Sequence, residues 1–151
     1  MKKIVCFIIC MVIPISAFAV TDLEIMIEGH NLNCDICAAQ QLIGDPTMDG
    51  NNAIFDITPK LHDVFFTKEG EVTGFGCVCK DPDQEVEFLA QCVTACYNFG
   101  GKADTVYDAV LSQFMFARSG NPLGNTTEIP GIIIEITKQS FGYIFVLSKV
   151  K

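Results

Sequence analysis

The chain has no tryptophan, two histidines, and ten basic residues against eighteen acidic ones among its 151 residues. A formal charge of -8 argues against a surface for nucleic acid or anionic lipid, because phosphate groups would repel the chain. The sequence also lacks a glycine-rich phosphate loop, a nucleophile elbow and an H-E-x-x-H zinc-protease motif. Half of the residues are hydrophobic, which excludes a disordered chain. A folded binding protein and thiol chemistry are the function classes that remain.

The amino terminus has the features of a secretory signal peptide. Two lysines precede an uncharged apolar run at residues 4–15, and residues 16–19 offer the small side chains that a signal peptidase recognises. The run is shorter than the ~20 residues that a membrane-spanning helix needs. We therefore expect cleavage after Ala19, a periplasmic or secreted location, and no transmembrane segment after cleavage.

Cleavage would leave residues 20–151 as a single domain. Because two lysines and two cysteines leave with the signal, the formal charge falls from -8 to -10 and six cysteines remain. An even number of cysteines in a small exported domain predicts three disulfides. No metal and no cofactor is expected.

Hydrophobic periodicity and turn residues predict an α+β fold, in which helices cover at least one face of a mixed or antiparallel sheet. The expected strands and helices are a strand at 22–28, a helix at 34–43, a strand at 53–58, a hairpin of 64–67 with 71–79, a helix from the Asp81 cap to Gly100, a helix at 104–118 that buries Val106, Val110 and Phe114, and a hairpin of 132–136 with 143–147. The helix that follows Asp81 is predicted by the stripe Val86, Leu89, Val93 and Tyr97, which recur at helical spacing. The last hairpin is almost continuously apolar, which suits strands covered on both faces. His62 and Asp63 are interpreted as the polar edge of a strand.

Four cysteines have spacings that match each other. Cys77 and Cys79 point to one face of a strand, with Cα atoms about 6.6 Å apart. Cys92 and Cys96 share one face of a helix, with Cβ atoms about 6 Å apart. The simplest solution is a pair of disulfides that staple the strand to the helix, in an order that the sequence does not decide. A zinc site of four thiolates is the alternative.

That pairing leaves Cys34 and Cys37, a C-x-x-C motif, for one another. A pair of this kind at the start of a helix after a strand can be catalytic, because the helix amino terminus favours thiolate. Asp35 between the cysteines opposes this by placing negative charge beside the thiolate. A structural disulfide, a redox-active pair and a metal site that includes His30 all remain open.

The order strand, C-x-x-C and helix, followed much later by Pro130 and a strand hairpin, resembles the thioredoxin superfamily. The resemblance covers about residues 22–44 and 126–149, and the stapled strand and two helices between them would be an insertion. It implies that Cys34 is the attacking thiol, Cys37 the resolving thiol, and Pro130 a cis-proline packed against the pair.

The residues favour an exported, disulfide-stabilised binding or assembly protein without catalysis, such as an accessory of a bacterial envelope or secretion machine, whose partner is another exported or envelope protein. The alternative is a periplasmic thiol–disulfide oxidoreductase or isomerase that uses Cys34 and Cys37.

Overall fold

Three helices and a seven-stranded sheet form the part of the chain that the structure describes, and the α+β class expected from the sequence is confirmed. The computed structural model describes residues 21–120 and 126–150. The order along the chain is α1 (Asp22–Cys37), β1 (Thr47–Asp49), β2 (Asn52–Thr58), β3 (Leu61–Lys68), β4 (Glu71–Cys79), a 3-10 turn (Pro82–Gln84), α2 (Glu85–Asn98), α3 (Ala103–Arg118), β5 (Thr126–Ile129), β6 (Ile132–Gln139) and β7 (Gly142–Lys149). The expected signal peptide lies outside the described residues.

The sheet has the order β1-β2-β3-β4-β7-β6-β5, and every pair of neighbours is antiparallel. Two meanders, β1 to β4 and β5 to β7, meet where β4 pairs with β7. Hairpin turns make the pairing within each meander local. The long-range β4–β7 pairing closes the fold around the two helices that lie between the meanders in the chain.

The helices cover one face of this sheet. Buried side chains alternate along the strands, as in Leu61, Asp63 and Phe65 of β3 and Ile132, Ile134 and Ile136 of β6. This period of two is the pattern of a sheet with one covered face. In β6 and β7 the opposite face stays partly open, with Ile133 and Val146 both exposed by more than a third. Within the described residues the chain itself therefore covers one face of the C-terminal hairpin and leaves the other partly exposed.

The first element is a helix, so the expected strand at 22–28 is wrong. Its start has a capping box, in which the Thr21 hydroxyl accepts from the Glu24 backbone N–H and the Glu24 carboxylate accepts from the Thr21 backbone N–H. Met26, His30 and Cys34, four residues apart, form its buried stripe. The expected helix at 34–43 is also wrong, because α1 ends at Cys37 and Ala38 takes a left-handed conformation.

The later elements agree with the sequence. Asp81 caps the 3-10 turn by accepting from the Asp83 backbone N–H, and Pro82 opens that turn before α2 begins. In α3 the expected core residues Val106, Val110 and Phe114 are buried. The two hairpins formed by β3 with β4 and by β6 with β7 are confirmed.

Candidate functional site

The C-x-x-C motif lies at the carboxyl end of α1, not at the start of a helix. Cys34 is buried, and its Sγ donates to the Gln40 carbonyl oxygen at 3.4 Å. Burial, aided by the nearby charge of Asp63, raises the pKa of Cys34 to about 11. The carboxyl end of a helix also carries the negative end of its dipole, which disfavours a thiolate. The setting that would activate the first thiol is therefore absent from this part of the chain.

A polar network lies buried beneath the motif, between α1, α2 and the loop after α1. His30 Nε2 donates to Gln91 Oε1 at 2.9 Å, and Gln91 Nε2 donates to the Gln40 carbonyl oxygen at 2.9 Å. The ring of His30 stacks on Phe75, with centroids 5.7 Å apart. Burial lowers the pKa of His30 to about 4, so the imidazole is neutral at neutral pH. The network fixes α1 on α2 without carrying a charge.

Asp63 stands beside this network on β3 and is fully buried. Its Oδ2 is 3.8 Å from His30 Nε2, beyond hydrogen-bonding distance, and Cys77 is its other polar neighbour. Within the described residues neither carboxyl oxygen has a hydrogen-bond partner of normal geometry. Burial raises the pKa of Asp63 to about 7. The interpretation of Asp63 as a polar strand edge is wrong, because the alternation of β3 turns it inward between Leu61 and Phe65.

Among the four cysteines expected to staple β4 to α2, Cys77 and Cys92 contact each other. The side chains of Cys77 and Cys92 are within hydrogen-bonding reach, whereas Cys79 Sγ donates to the Asp81 carbonyl oxygen at 3.0 Å. Because α2 runs back along β4, two rungs would need Cys77 opposite Cys96 and Cys79 opposite Cys92. The observed contact is offset from that register by one helical turn. All six described cysteines carry free thiols in the structure.

Pro130 lies far from this region in topology, in the two-residue turn between β5 and β6. Gly131 follows it with φ +89°, the conformation that the third position of a type II turn requires. No peptide bond among the described residues is cis. The strand that follows Pro130 lies on the far side of β7 from β4. Pro130 therefore lies in a hairpin turn with a trans peptide bond, where the thioredoxin resemblance implies a cis-proline.

The outer surface of α2 forms the floor of an open apolar groove. Helix α2 buries one face against the sheet through Phe88, Cys92 and Ala95. The stripe whose spacing predicts this helix lies on the opposite side. Its members are partly or largely exposed, and with one alanine they form the floor: Val86, Leu89, Ala90, Val93 and Tyr97.

The carboxyl end of α1 and the exposed face of α3 form the two walls of this groove. The wall residues are Ile36 and Cys37 of α1 with the following Ala38, and Tyr107, Leu111 and the buried Val110 of α3. The groove encloses about 460 Å³, within the range of roughly 300–1,000 Å³ typical of ligand-binding clefts. Ile36 is 77% exposed and Val86 76%, so the apolar surface is open to solvent. Exposed apolar side chains that line a cleft make this groove the candidate interaction site.

The helical layer around the groove is acidic. The three helices hold eight carboxylates and one cationic side chain, Arg118, which is paired with Glu85 at 3.6 Å. All six described lysines lie in strands, turns or loops. The carboxylates comprise four in α1, two in α2 and two in α3: Asp22, Glu24, Glu28, Asp35, Glu85, Glu87, Asp104 and Asp108.

The described residues contain no group of three His, Cys, Asp or Glu side chains placed to hold a metal ion. Among the helices of the same residues, none is long and apolar enough to cross a membrane. A scan of protein-family models finds no match to the chain, and searches of curated proteins and of solved structures find none either.

Proposed function

We propose that the protein is an exported binding protein without catalysis, which holds a partner protein in the groove over α2. The observation that carries this proposal is the apolar stripe on the outside of α2, opposite the face that packs on the sheet. Burying one aliphatic side chain contributes about 1.5–3 kcal/mol. When a partner covers the stripe between its two walls, each side chain that becomes buried contributes up to that free energy to binding.

The side chains that could perform chemistry support the same proposal. His30, Cys34 and Asp63 are buried beneath α1, out of reach of a substrate. The low pKa of His30 makes its imidazole a weak base, the raised pKa of Cys34 makes its thiol a poor nucleophile at neutral pH, and full burial keeps the Asp63 carboxyl group away from a substrate. We interpret the cluster as part of the scaffold that positions the wall of the groove.

Export and oxidation of the cysteines belong to the proposal as expectations. The Cys77–Cys92 contact supports one bridge between β4 and α2, and it favours this pair over the other strand–helix pairings. Such a bridge closes a loop of 15 residues and would stabilise the scaffold by about 3 kcal/mol in the chain-entropy model.

One observation favours the alternative, a thiol–disulfide oxidoreductase. Cys37 is the one partly exposed thiol among the described cysteines, and it lines the groove where a substrate would lie. The burial of Cys34 argues against a thiol–disulfide oxidoreductase. A redox titration separates the two functions: a Cys34–Cys37 pair reduced well above about -300 mV supports catalysis, whereas a more negative potential supports a structural role.

A photocrosslinking experiment tests the binding function. A photoreactive phenylalanine analogue replaces Tyr107 on the groove wall, and a matched variant carries it at Phe141, an exposed aromatic residue in the turn between β6 and β7. In the cells that make the protein, we expect a discrete adduct from position 107 that position 141 does not give. No adduct from either position, or the same adduct from both, would overturn the proposal.

A further inference from the structure

We propose that the partner presents an amphipathic α-helix to the groove, with an apolar stripe on one side and lysine or arginine side chains along its borders. This inference rests on the proposed binding function and names the chemistry of the partner. Shape, backbone hydrogen bonding and charge each support it.

The shape of the groove fits one helix. Helices α1 and α3 stand on either side of α2, and the groove follows α2 from Val86 to Tyr97. Eleven intervals at 1.5 Å per residue give a floor about 17 Å long, or about three turns of an incoming helix. Anchors at i, i+3, i+4 and i+7 on that helix would match a stripe of the same period in α2.

Backbone hydrogen bonding favours a helix over an extended segment. All three elements that line the groove are helices, whose central N–H and C=O groups are already paired within the helix. A strand laid in the groove would find no ladder to join, and its own backbone groups would lose water without gaining partners. A helix satisfies those groups internally.

The charge around the groove indicates which polar side chains the partner helix should carry. Asp104 lies one turn before Tyr107 on α3, and its charge adds to burial in raising the pKa of Tyr97 on the groove floor. Asp35 precedes Ile36 at the opposite wall, and both carboxylates are exposed. Cationic side chains at the borders of an incoming helix would meet these carboxylates, whereas acidic ones would be repelled.

The same charges argue against a second copy as the occupant. The helical layer of another molecule would bring eight further carboxylates and one arginine, already paired, to an acidic groove. The six described lysines of a second copy lie outside its described helices, so those helices do not provide a cationic amphipathic face.

The absence of tryptophan in the chain allows a direct binding assay. The probe is a synthetic helix of about 18 residues with a leucine face, a lysine border and one tryptophan on the apolar side; its control has glutamate at every lysine position. We expect saturable binding with a blue shift of the tryptophan emission, about tenfold or more tighter for the lysine peptide at 0.1 M salt. Equal affinities for the two peptides would overturn the inference.

Two variants separate the groove from general attraction to an acidic protein. Asp104→Asn removes a charge at the groove, and Asp49→Asn removes the same charge from the exposed strand β1. We expect Asp104→Asn to weaken binding of the lysine peptide about threefold and Asp49→Asn to leave it within error. Equal weakening by both variants would contradict docking at the groove.

Cys37 reports the place of binding independently, because it lines the groove as the one partly exposed thiol among the described cysteines. In protein whose cysteines have been reduced, saturating lysine peptide should slow the alkylation of Cys37 by a maleimide several-fold. An unchanged rate would overturn the inference. Protection that grows with the concentration of the protein alone would assign the groove to a second copy instead. A crosslink from position 107 combined with no binding of the lysine peptide would reject the cationic helix and leave the binding function intact.

Discussion

Replacing Asp63 with asparagine should stabilise the protein at alkaline pH and have little effect in acid. Asp63 is fully buried, its carboxyl oxygens have no normal hydrogen-bond partner among the described residues, and burial raises its pKa from an ordinary 3.8 to about 7. Between these two pH values the unfolded chain releases the proton while the folded chain retains it. The unfolded state is therefore favoured progressively as pH rises.

The magnitude follows from that difference of about three pKa units. Each unit corresponds to 1.36 kcal/mol, so the carboxyl group costs the folded state about 4 kcal/mol above pH 7 and almost nothing below pH 4. Asparagine has nearly the same shape and carries no charge. We expect Asp63→Asn to match the wild type near pH 4 and to exceed it by up to about 4 kcal/mol at pH 8.

Urea unfolding of the two proteins at pH 4, 6 and 8 measures this difference. Asp49→Asn, on the exposed strand β1, is the matched control and should show no such pH dependence. A constant difference between Asp63→Asn and the wild type at all three pH values would refute the reasoning. The free energy of unfolding of the wild type, relative to that of Asp63→Asn, should fall as pH rises from 4 to 8.

Three further predictions concern the scaffold. Thr21→Ala removes the hydroxyl that caps α1 and should lower the free energy of unfolding by about 1 kcal/mol in urea titrations, and an unchanged value would contradict the role of the cap. Cys37 should react with a maleimide at least about tenfold faster than any other described cysteine in the folded protein, as followed by peptide mapping; faster labelling of a buried thiol would contradict the burial described above. Gly142→Ala should be more destabilising than Gly44→Ala by at least about 2 kcal/mol in thermal melts. Both glycines have positive φ. A Cβ at position 142 would overlap the Cys79 carbonyl oxygen, whereas a Cβ at position 44 would meet no neighbouring atom. Equal losses would show that this contact is relieved at little cost.

The mistaken strand at the start of the domain shows how two sequence patterns can compete. Leu23, Ile25 and Ile27 alternate as in a strand, yet Met26, His30 and Cys34 recur every four residues and form the stripe that is buried. The capping box of Thr21 and Glu24 was present in the sequence and indicated a helix. Local alternation misled because it extends over only seven residues, whereas helix α1 extends over sixteen.

The groove was harder to predict than the elements that form it. The stripe from Val86 to Tyr97 correctly predicts a helix, but its period cannot show which of two apolar faces packs on the sheet. Phe88, Cys92 and Ala95 face the sheet, and the choice depends on how α2 meets β4 and β7. That contact joins residues distant in sequence, which single-sequence periodicity does not contain.

Hairpin pairing and burial of a single side chain also differ in how far local sequence determines them. The turn at residues 68–70 predicts the pairing of β3 with β4, because a short loop leaves little freedom to the strands it joins. The burial of Asp63 could have been inferred from its place between Leu61 and Phe65 on one face of β3. The interpretation of Asp63 as a polar strand edge relied on its acidic side chain and not on its position in the alternating pattern of β3.

The central claim is that a partner binds at the groove and does so without the thiols. Its most direct test is the yield of the crosslink from position 107 in two added backgrounds, Cys37→Ser and Val86→Lys. Both side chains line the groove, but the first change removes the one partly exposed thiol among the described cysteines, and the second places a charge on the apolar floor where a cationic helix would bind. The proposal predicts that Cys37→Ser keeps the adduct and that Val86→Lys loses it. Loss of the adduct in Cys37→Ser with retention in Val86→Lys would contradict it and favour thiol chemistry.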